Sequence, residues 1–322
     1  MTALPTAKIL VADPIAEDGI ELLSRSGEVD TRTGLKPDEL AATIGDYDAL
    51  VVRSETKVTA AIFEAGHRLQ VVGRAGVGVD NIDLDAATQH GVVVVNAPTG
   101  NTTSAAELAV ALMLALARHI PAADASLKVG QWQRSRFVGV ELRGKTLGIV
   151  GLGQVGSEVA RRARAFEMRL LGYDPFVPEE RARALGVELC TLEALLGASD
   201  FLTVHTTLTA GTRGLIGAEE LKLVKPTIRL INTARGGVID EEALAGALRE
   251  GRVAGAAIDV FTEEPATANP LLQAPNLITT PHLGASTAEA QERVAVDVAE
   301  QIAAVLRGEP AQYAVNAPMP AP

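Results

Sequence analysis

Four polar residues follow short apolar runs in the second half of the chain: Arg235 in INTARGG, Asp259 in AAIDVF, Glu264 in FTEEP and His282 in TTPHLGAST. A histidine titrates close to neutrality and can take or give a proton. A carboxylate can fix which ring nitrogen carries hydrogen and can stabilise the ring once it is charged. An arginine presents a planar fork that grips a carboxylate through two parallel hydrogen bonds. Singly, each has a plain structural use: Arg235 fits a surface turn, Glu264 precedes a turn proline, and His282 suits a helix cap. Together they compose a proton-transfer centre with an anchor for an acidic substrate.

The segment GLGQVG, with Gly151, Gly153 and Gly156, lies between the apolar run TLGIV and the helix-like SEVARRARAF. Glycines at this spacing allow a tight turn and bring the amides of a helix start close to a pyrophosphate. Asp174 follows Gly156 by 18 positions (174 − 156), at the end of the next apolar run. A carboxylate there accepts the adenosine ribose hydroxyls and repels the extra phosphate of NADP. Pro175, Phe176, Val177 and Pro178 bring no arginine to compensate. NAD is therefore the expected cofactor, and hydride transfer at its nicotinamide needs a partner that moves the substrate's hydroxyl proton.

Parallel strands are the elements that would deliver such distant residues to one place. KILVA (8–12), ALVV (49–52), 71–73 and 92–96 read as strands of a first sheet, with a helix over 15–26 stopped near Gly27. A second sheet is expected from 146–150, 168–173, 201–205, 227–232, 256–260 and 277–280. Open α/β sheets bind ligands outside the carboxyl ends of their strands, where the polar residues above would stand. The run SAAELAVALMLALA (104–117) reads as a long helix buried on most sides, against another domain or another subunit. Asn101, Thr102, Thr103 and Ser104 offer cap oxygens at its start. The helix after Ser286 is expected to return to the first unit. The result is an α/β chain of two domains. A Rossmann-type NAD-binding domain, residues 100–282, is inserted in a discontinuous, flavodoxin-like substrate-binding domain, residues 1–99 and 283–322.

Composition narrows the class. The 322 residues, 47% hydrophobic and 21% charged, suit a globular chain of two domains. Aromatics are only 3%, so Ala, Val and Leu must fill the core, as in buried parallel strands. Twenty-nine basic against forty acidic residues give a formal charge of -11, unlike a nucleic-acid backbone binder. A small anion would need arginines that converge locally. The single cysteine, Cys190, excludes an internal disulfide framework and a thiolate zinc site, and no metal site is expected. The start MTALPTAKILVADP does not read as a signal peptide, and the apolar run at 108–117 is too short to span a bilayer. A cytoplasmic enzyme without nucleic-acid or membrane partners is expected.

GRAGVGVDNID, GLGQVG, INTARGGVIDEEAL, AAIDVFTEEP and TTPHLGAST together resemble the D-2-hydroxyacid dehydrogenase family, most of all its phosphoglycerate dehydrogenases, from the amino terminus to about Pro318. The resemblance implies that Arg235 binds the substrate α-carboxylate, that His282 is the general acid or base, and that Glu264 is its partner. Glu263 matches no catalytic position. The implied cofactor set begins with Gly151, Gly153, Gln154, Val155, Gly156 and Asp174. It continues with Thr206, Thr233, Ala234 and Arg235, and closes around the nicotinamide with Asp259, His282, Gly284 and Ala285.

By the same resemblance Arg53, Arg74 and Arg134 match positions that bind a substrate anion, Arg134 reaching across from a second copy in a homodimer. Gly76 is counted with the substrate residues; Val77 stands where some relatives have a threonine beside the cofactor, and backbone contacts from Gly76 to Gly78 remain available. The implied reaction is NAD-dependent oxidation of 3-phosphoglycerate to 3-phosphooxypyruvate, the first step of phosphorylated serine biosynthesis. Glyoxylate or hydroxypyruvate reduction is the alternative activity, and NAD sensing without turnover the alternative class. Larger relatives continue beyond the NAP motif with regulatory domains; the chain is expected to lack that region, and Ala317 to Pro322 reads as linker.

Overall fold

A computed structural model describes residues 7–317; the first residues of the amino-terminal stretch, 1–6, and most of the linker-like end, 318–322, lie outside the described residues. The chain divides into two units, Met1–Asn101 with Ala285–Pro322, and Thr102–Gly284. Each division falls two residues beyond the boundary expected from sequence.

The first unit alternates β1 (Ala7–Val11), α1 (Glu17–Ser24), β2 (Gly27–Thr31), α2 (Pro37–Ile44), β3 (Ala49–Val52), α3 (Ala60–Ala65), β4 (Val71–Arg74), α4 (Leu84–Gln89) and β5 (Val93–Asn96). Its strands pair in parallel in the order β2-β1-β3-β4-β5, the flavodoxin-like order. The central strands are rich in branched residues and β3 is fully buried, as a strand covered on both faces must be. Gly27 does not merely stop α1. It opens β2, an edge strand of sequence GEVDT that pairs through its backbone and needs little apolar content.

The second unit begins with α5 (Thr102–Arg118) and α6 (Ile120–Lys128), bent by 61° about His119. It continues with β6 (Thr146–Val150), α7 (Gln154–Ala165), β7 (Arg169–Tyr173), α8 (Glu179–Ala184), β8 (Glu188–Leu189), α9 (Leu192–Ala198) and β9 (Phe201–Val204). Then come β10 (Arg229–Asn232), α10 (Glu241–Arg249), β11 (Gly255–Ile258) and β12 (Leu277–Thr279). All pair in parallel in the order β12-β11-β10-β9-β6-β7-β8, the doubly wound order with one strand added. The chain then re-enters the first unit as α11 (Ala288–Leu306), which packs on α1, β4 and β5. Gly73 lets α11 approach β4: a Cβ there would stand 2.5 Å from a methyl of Val298.

Helix α5 corrects one expectation. Ala109, Leu112, Met113 and Leu116 are buried in the same core as Leu147, Ile149, Ile231 and Ala257 of the second unit's own sheet. Apolarity all round demanded cover, but the sheet and α7 supply it within the unit. Exposed large apolar residues include Ile120 and Leu127 on α6, Val129, Trp132 and Val138 after it, and Phe176 beyond β7. No single described helix is long and apolar enough to cross a membrane.

Register places the chemistry. Val150 pairs with Tyr173 and Val204, Val204 with Asn232, Asn232 with Ile258, and Ile258 with Thr279. Gly151, Asp174, His205, Thr233, Asp259 and Thr280 therefore leave the sheet in one row.

Candidate active site

The glycine turn opens the row. Gly151 has φ 91°, a left-handed conformation that favours glycine, and a Cβ on it would stand 2.6 Å from the His205 carbonyl oxygen. A Cβ on Gly156 would collide with the Gly151 carbonyl oxygen, so α7 can start this close to β6 only with glycine at that position. Gly153 faces open space, with nothing within 4 Å of a Cβ placed on it. Gln154 is exposed and accepts a bond from the Thr102 hydroxyl at 3.3 Å, while Val155 packs into the core. The Asp174 carboxylate accepts the Leu152 N–H at 2.8 Å and the Phe176 N–H at 2.9 Å, which fixes it beside the turn.

Further along, the hydroxyls of Thr206 and Thr233 are buried without a hydrogen-bond partner. Buried polar groups are ordinarily paired, so two such hydroxyls beyond adjacent strands fit a polar ligand that completes them. The open glycine turn, a twelve-residue helix starting beneath it and the fixed Asp174 carboxylate suit a dinucleotide in the same way.

Asn232 was not singled out in the sequence, yet its side chain shapes the next turn. Its Nδ2 donates to the Arg235 carbonyl at 2.9 Å and its Oδ1 accepts the Ala234 N–H at 3.0 Å. Arg235 in turn donates from Nη1 to the Ala234 carbonyl at 2.7 Å. The Asn in INTARGG was the available signal, since Asn side chains bond their own backbone two residues on.

Asp259 is fully buried, and its carboxylate accepts the Thr280 hydroxyl at 2.6 Å, the Leu283 N–H at 2.7 Å and the Gly284 N–H at 3.0 Å. Its carbonyl accepts the His282 N–H at 2.8 Å. His282 has φ 55°, uncommon for a residue with a side chain, and Asp259 grips the backbone around it. Ser104 adds a bond from its hydroxyl to the Gly284 carbonyl at 2.8 Å.

The ring so held meets its partner. His282 Nδ1 lies 2.8 Å from Glu264 Oε2, and Glu264 Oε1 accepts the Phe261 N–H at 3.0 Å. Burial pushes the Glu264 carboxyl up, but the bonds from His282 and Phe261 and the charges of His282 and Arg235 outweigh it and hold it below its ordinary value. An ionised Glu264 requires the hydrogen on Nδ1, which leaves Nε2 with its lone pair for a substrate proton. Glu263 belongs to a separate hollow with Glu241, Thr262 and Asn269.

Arg235, Glu264 and His282, with Asp259, Thr233 and Ala234, thus gather at one end of the second sheet. Arg53, Arg74 and Gly76 belong to the first unit, as does Ala285. Arg134 lies exposed on the 3-10 turn Arg134–Phe137 and has no hydrogen bond to Arg235, Glu264 or His282 among the described residues.

Residues 110–284 match the D-isomer specific 2-hydroxyacid dehydrogenase NAD binding domain. The chain belongs to the D-2-hydroxyacid dehydrogenase family. Among its relatives, the D-3-phosphoglycerate dehydrogenase of Methanocaldococcus jannaschii is 54% identical over 97% of the chain, which spans only 60% of that protein's length. The TT0316 protein of Thermus thermophilus is 34% identical, with a TM-score of 0.88 over 96% of this chain and 99% of the other. The apo structure of D-lactate dehydrogenase from Escherichia coli is 26% identical, with a TM-score of 0.85 over 96% and 99%.

His205 completes the row as a neutral spacer. Burial pushes its imidazole down to about 3, and its Nε2 lies 2.8 Å from the Thr203 hydroxyl. The folded state then binds fewer protons than the unfolded one, so stability present above the ordinary histidine pKa is lost as pH falls from there toward the folded value. Urea unfolding at about pH 7.5 and about pH 5.5 is expected to show His205→Asn losing about 1 kcal/mol less than the wild type between the two. Equal losses would contradict a ring held neutral in the folded state.

Proposed function

We propose that the chain is an NAD-dependent D-2-hydroxyacid dehydrogenase whose substrate is 3-phosphoglycerate, oxidised at C2 to 3-phosphooxypyruvate. The observation that carries the reaction class is the His282–Glu264 pair at 2.8 Å, held at the end of the sheet that also bears the glycine turn. Bound NAD supplies a nicotinamide ring that accepts the hydride from C2. His282 Nε2 takes the C2 hydroxyl proton as that hydride leaves, and the ionised Glu264 stabilises the imidazolium through Nδ1. In the reverse direction His282 returns the proton. Arg235 grips the α-carboxylate and so orients C2. Asp174 favours NAD, since its carboxylate is fixed where an adenosine phosphate would be repelled.

The phosphate end of the reading is supported by placement in the first unit. Val52 pairs with Arg74, so Arg74 at the end of β4 and Arg53 just beyond β3 leave neighbouring strands at the carboxyl edge. A Cβ on Gly76 would collide with Arg74 Nη1, so glycine there makes room for the guanidinium. These two arginines take the phosphate, joined by Arg134 from a second copy. Self-association is supported by the apolar surface of α6 and the segment after it, where Trp132 is 76% exposed.

Two measurements test the reading. The wild type should use 3-phosphoglycerate with kcat/KM on the order of a hundredfold above D-glycerate, and Arg235→Ala should lower both values, since both substrates keep the carboxylate. Equal use of the two by the wild type would contradict a phosphate site and favour the smaller-hydroxyacid alternative. Asp174→Ala should raise the NADP to NAD ratio of kcat/KM by about tenfold or more; an unchanged ratio would remove Asp174 as the discriminator.

A further inference from the structure

Beyond the end of the β1–β3 ladder, a buried carboxylate spends all its hydrogen bonds on the segment that carries Arg53. Asp13 follows β1 and is 1% exposed. Its Oδ2 accepts the backbone N–H of Arg53 at 2.5 Å and that of Thr56 at 3.2 Å, and its Oδ1 accepts the Thr56 hydroxyl at 2.6 Å. Asn81 holds the same segment from the other side, donating from Nδ2 to the carbonyls of Arg53 at 2.8 Å and Thr56 at 2.6 Å. Two side chains from distant parts of the sequence thereby fix both the N–H and the C=O of Arg53.

These ties are not needed to join the strands. β1 and β3 already pair from Ile9 with Ala49 to Val11 with Val51, and the Ala12 N–H reaches the Val51 carbonyl at 2.9 Å. What Asp13 adds lies past that ladder, on a turn whose Ser54 and Glu55 are exposed. Burying a carboxylate is costly unless its oxygens are satisfied, and here two N–H groups and one hydroxyl do so. The Arg53 guanidinium is held only loosely within its own unit, with Nη1 at 3.5 Å from the Pro14 carbonyl, the outer limit of a hydrogen bond. The direction in which the side chain leaves the sheet is therefore set by its backbone.

We infer that Asp13 and Asn81 are positioning residues that aim Arg53 at the distal anionic group of the substrate, and so set the preference for a phosphorylated hydroxyacid. This rests on the reading above that Arg53 contacts the phosphate. Neither residue touches the reacting atoms, so the effect belongs in KM for the phosphorylated substrate and not in kcat.

The test is steady-state kinetics of the whole chain on 3-phosphoglycerate and D-glycerate with NAD. Arg53→Ala, Asp13→Ala, Asn81→Ala, Asp13→Asn and the double variant Asn81→Ala with Arg53→Ala are compared. Asp13→Ala and Asn81→Ala should each raise KM for 3-phosphoglycerate by about tenfold while leaving kcat and the use of D-glycerate within about threefold. Asp13→Asn, which keeps one acceptor oxygen, should recover most of the loss. In the double variant, Asn81→Ala should add nothing to Arg53→Ala, because there is no guanidinium left to aim. Asn81→Ala keeps the test usable should Asp13→Ala fail to fold. If Arg53→Ala leaves the preference for phosphate unchanged, the reading of Arg53 fails and takes the inference with it. If Arg53→Ala removes the preference while Asn81→Ala does not alter it, or the two losses multiply in the double variant, the inference alone is overturned.

Discussion

The second unit depends on parallel strands that pair in register. A one-residue slip between β10 and β11 would carry Asp259 out of line with Thr233 and turn its side chain to the other face of the sheet. With Asn232 opposite Ile258, and Ile258 opposite Thr279, the residues that follow emerge at one level. The glycine turn, the two buried threonine hydroxyls, Asp259 and the loop that ends at His282 are consequences of that alignment.

Carboxylates then do most of the fixing. Asp174 takes backbone amides beside the glycine turn, Asp259 takes the two amides that follow His282 and the Thr280 hydroxyl before it, and Glu264 takes the imidazole itself. The first unit repeats the device, with Asp13 holding the turn that bears Arg53. A buried carboxylate with several directed acceptor sites is well suited to this task, because leaving any one of its partners unpaired costs more than the bond itself contributes. Such residues make the backbone around them rigid.

The branched runs closed by polar residues made β1, β3, β4 and β5 legible, and the same pattern made β6, β7 and β9 to β12 legible, because buried parallel strands are apolar on both faces. GLGQVG and the motifs at 232–237, 259–265 and 281–285 carried the site for a similar reason: their residue types are tied to turn geometry and proton chemistry. Strands β2 and β8 were missed because edge pairing is made by the backbone, and Glu28, Asp30 and Glu188 conceal it. Helix α6 buries no residue, so no packed face of it shows in the sequence. The ties made by Asp13 and Asn81 were hidden because, apart from the Thr56 hydroxyl, their partners are backbone atoms, which leave no trace in residue type.

The central claim is that Glu264 acts on His282 through charge during proton transfer. It is tested most directly by the pH dependence of kcat/KM for hydroxyacid oxidation in the wild type and Glu264→Gln, whose side chain keeps a hydrogen-bond acceptor for Nδ1 but lacks the negative charge. Removing that charge disfavours the imidazolium, so the rate-linked acid limb should move to lower pH by about one unit and the maximal rate should fall by at least about tenfold. A limb and a maximal rate both unchanged in Glu264→Gln would contradict the account.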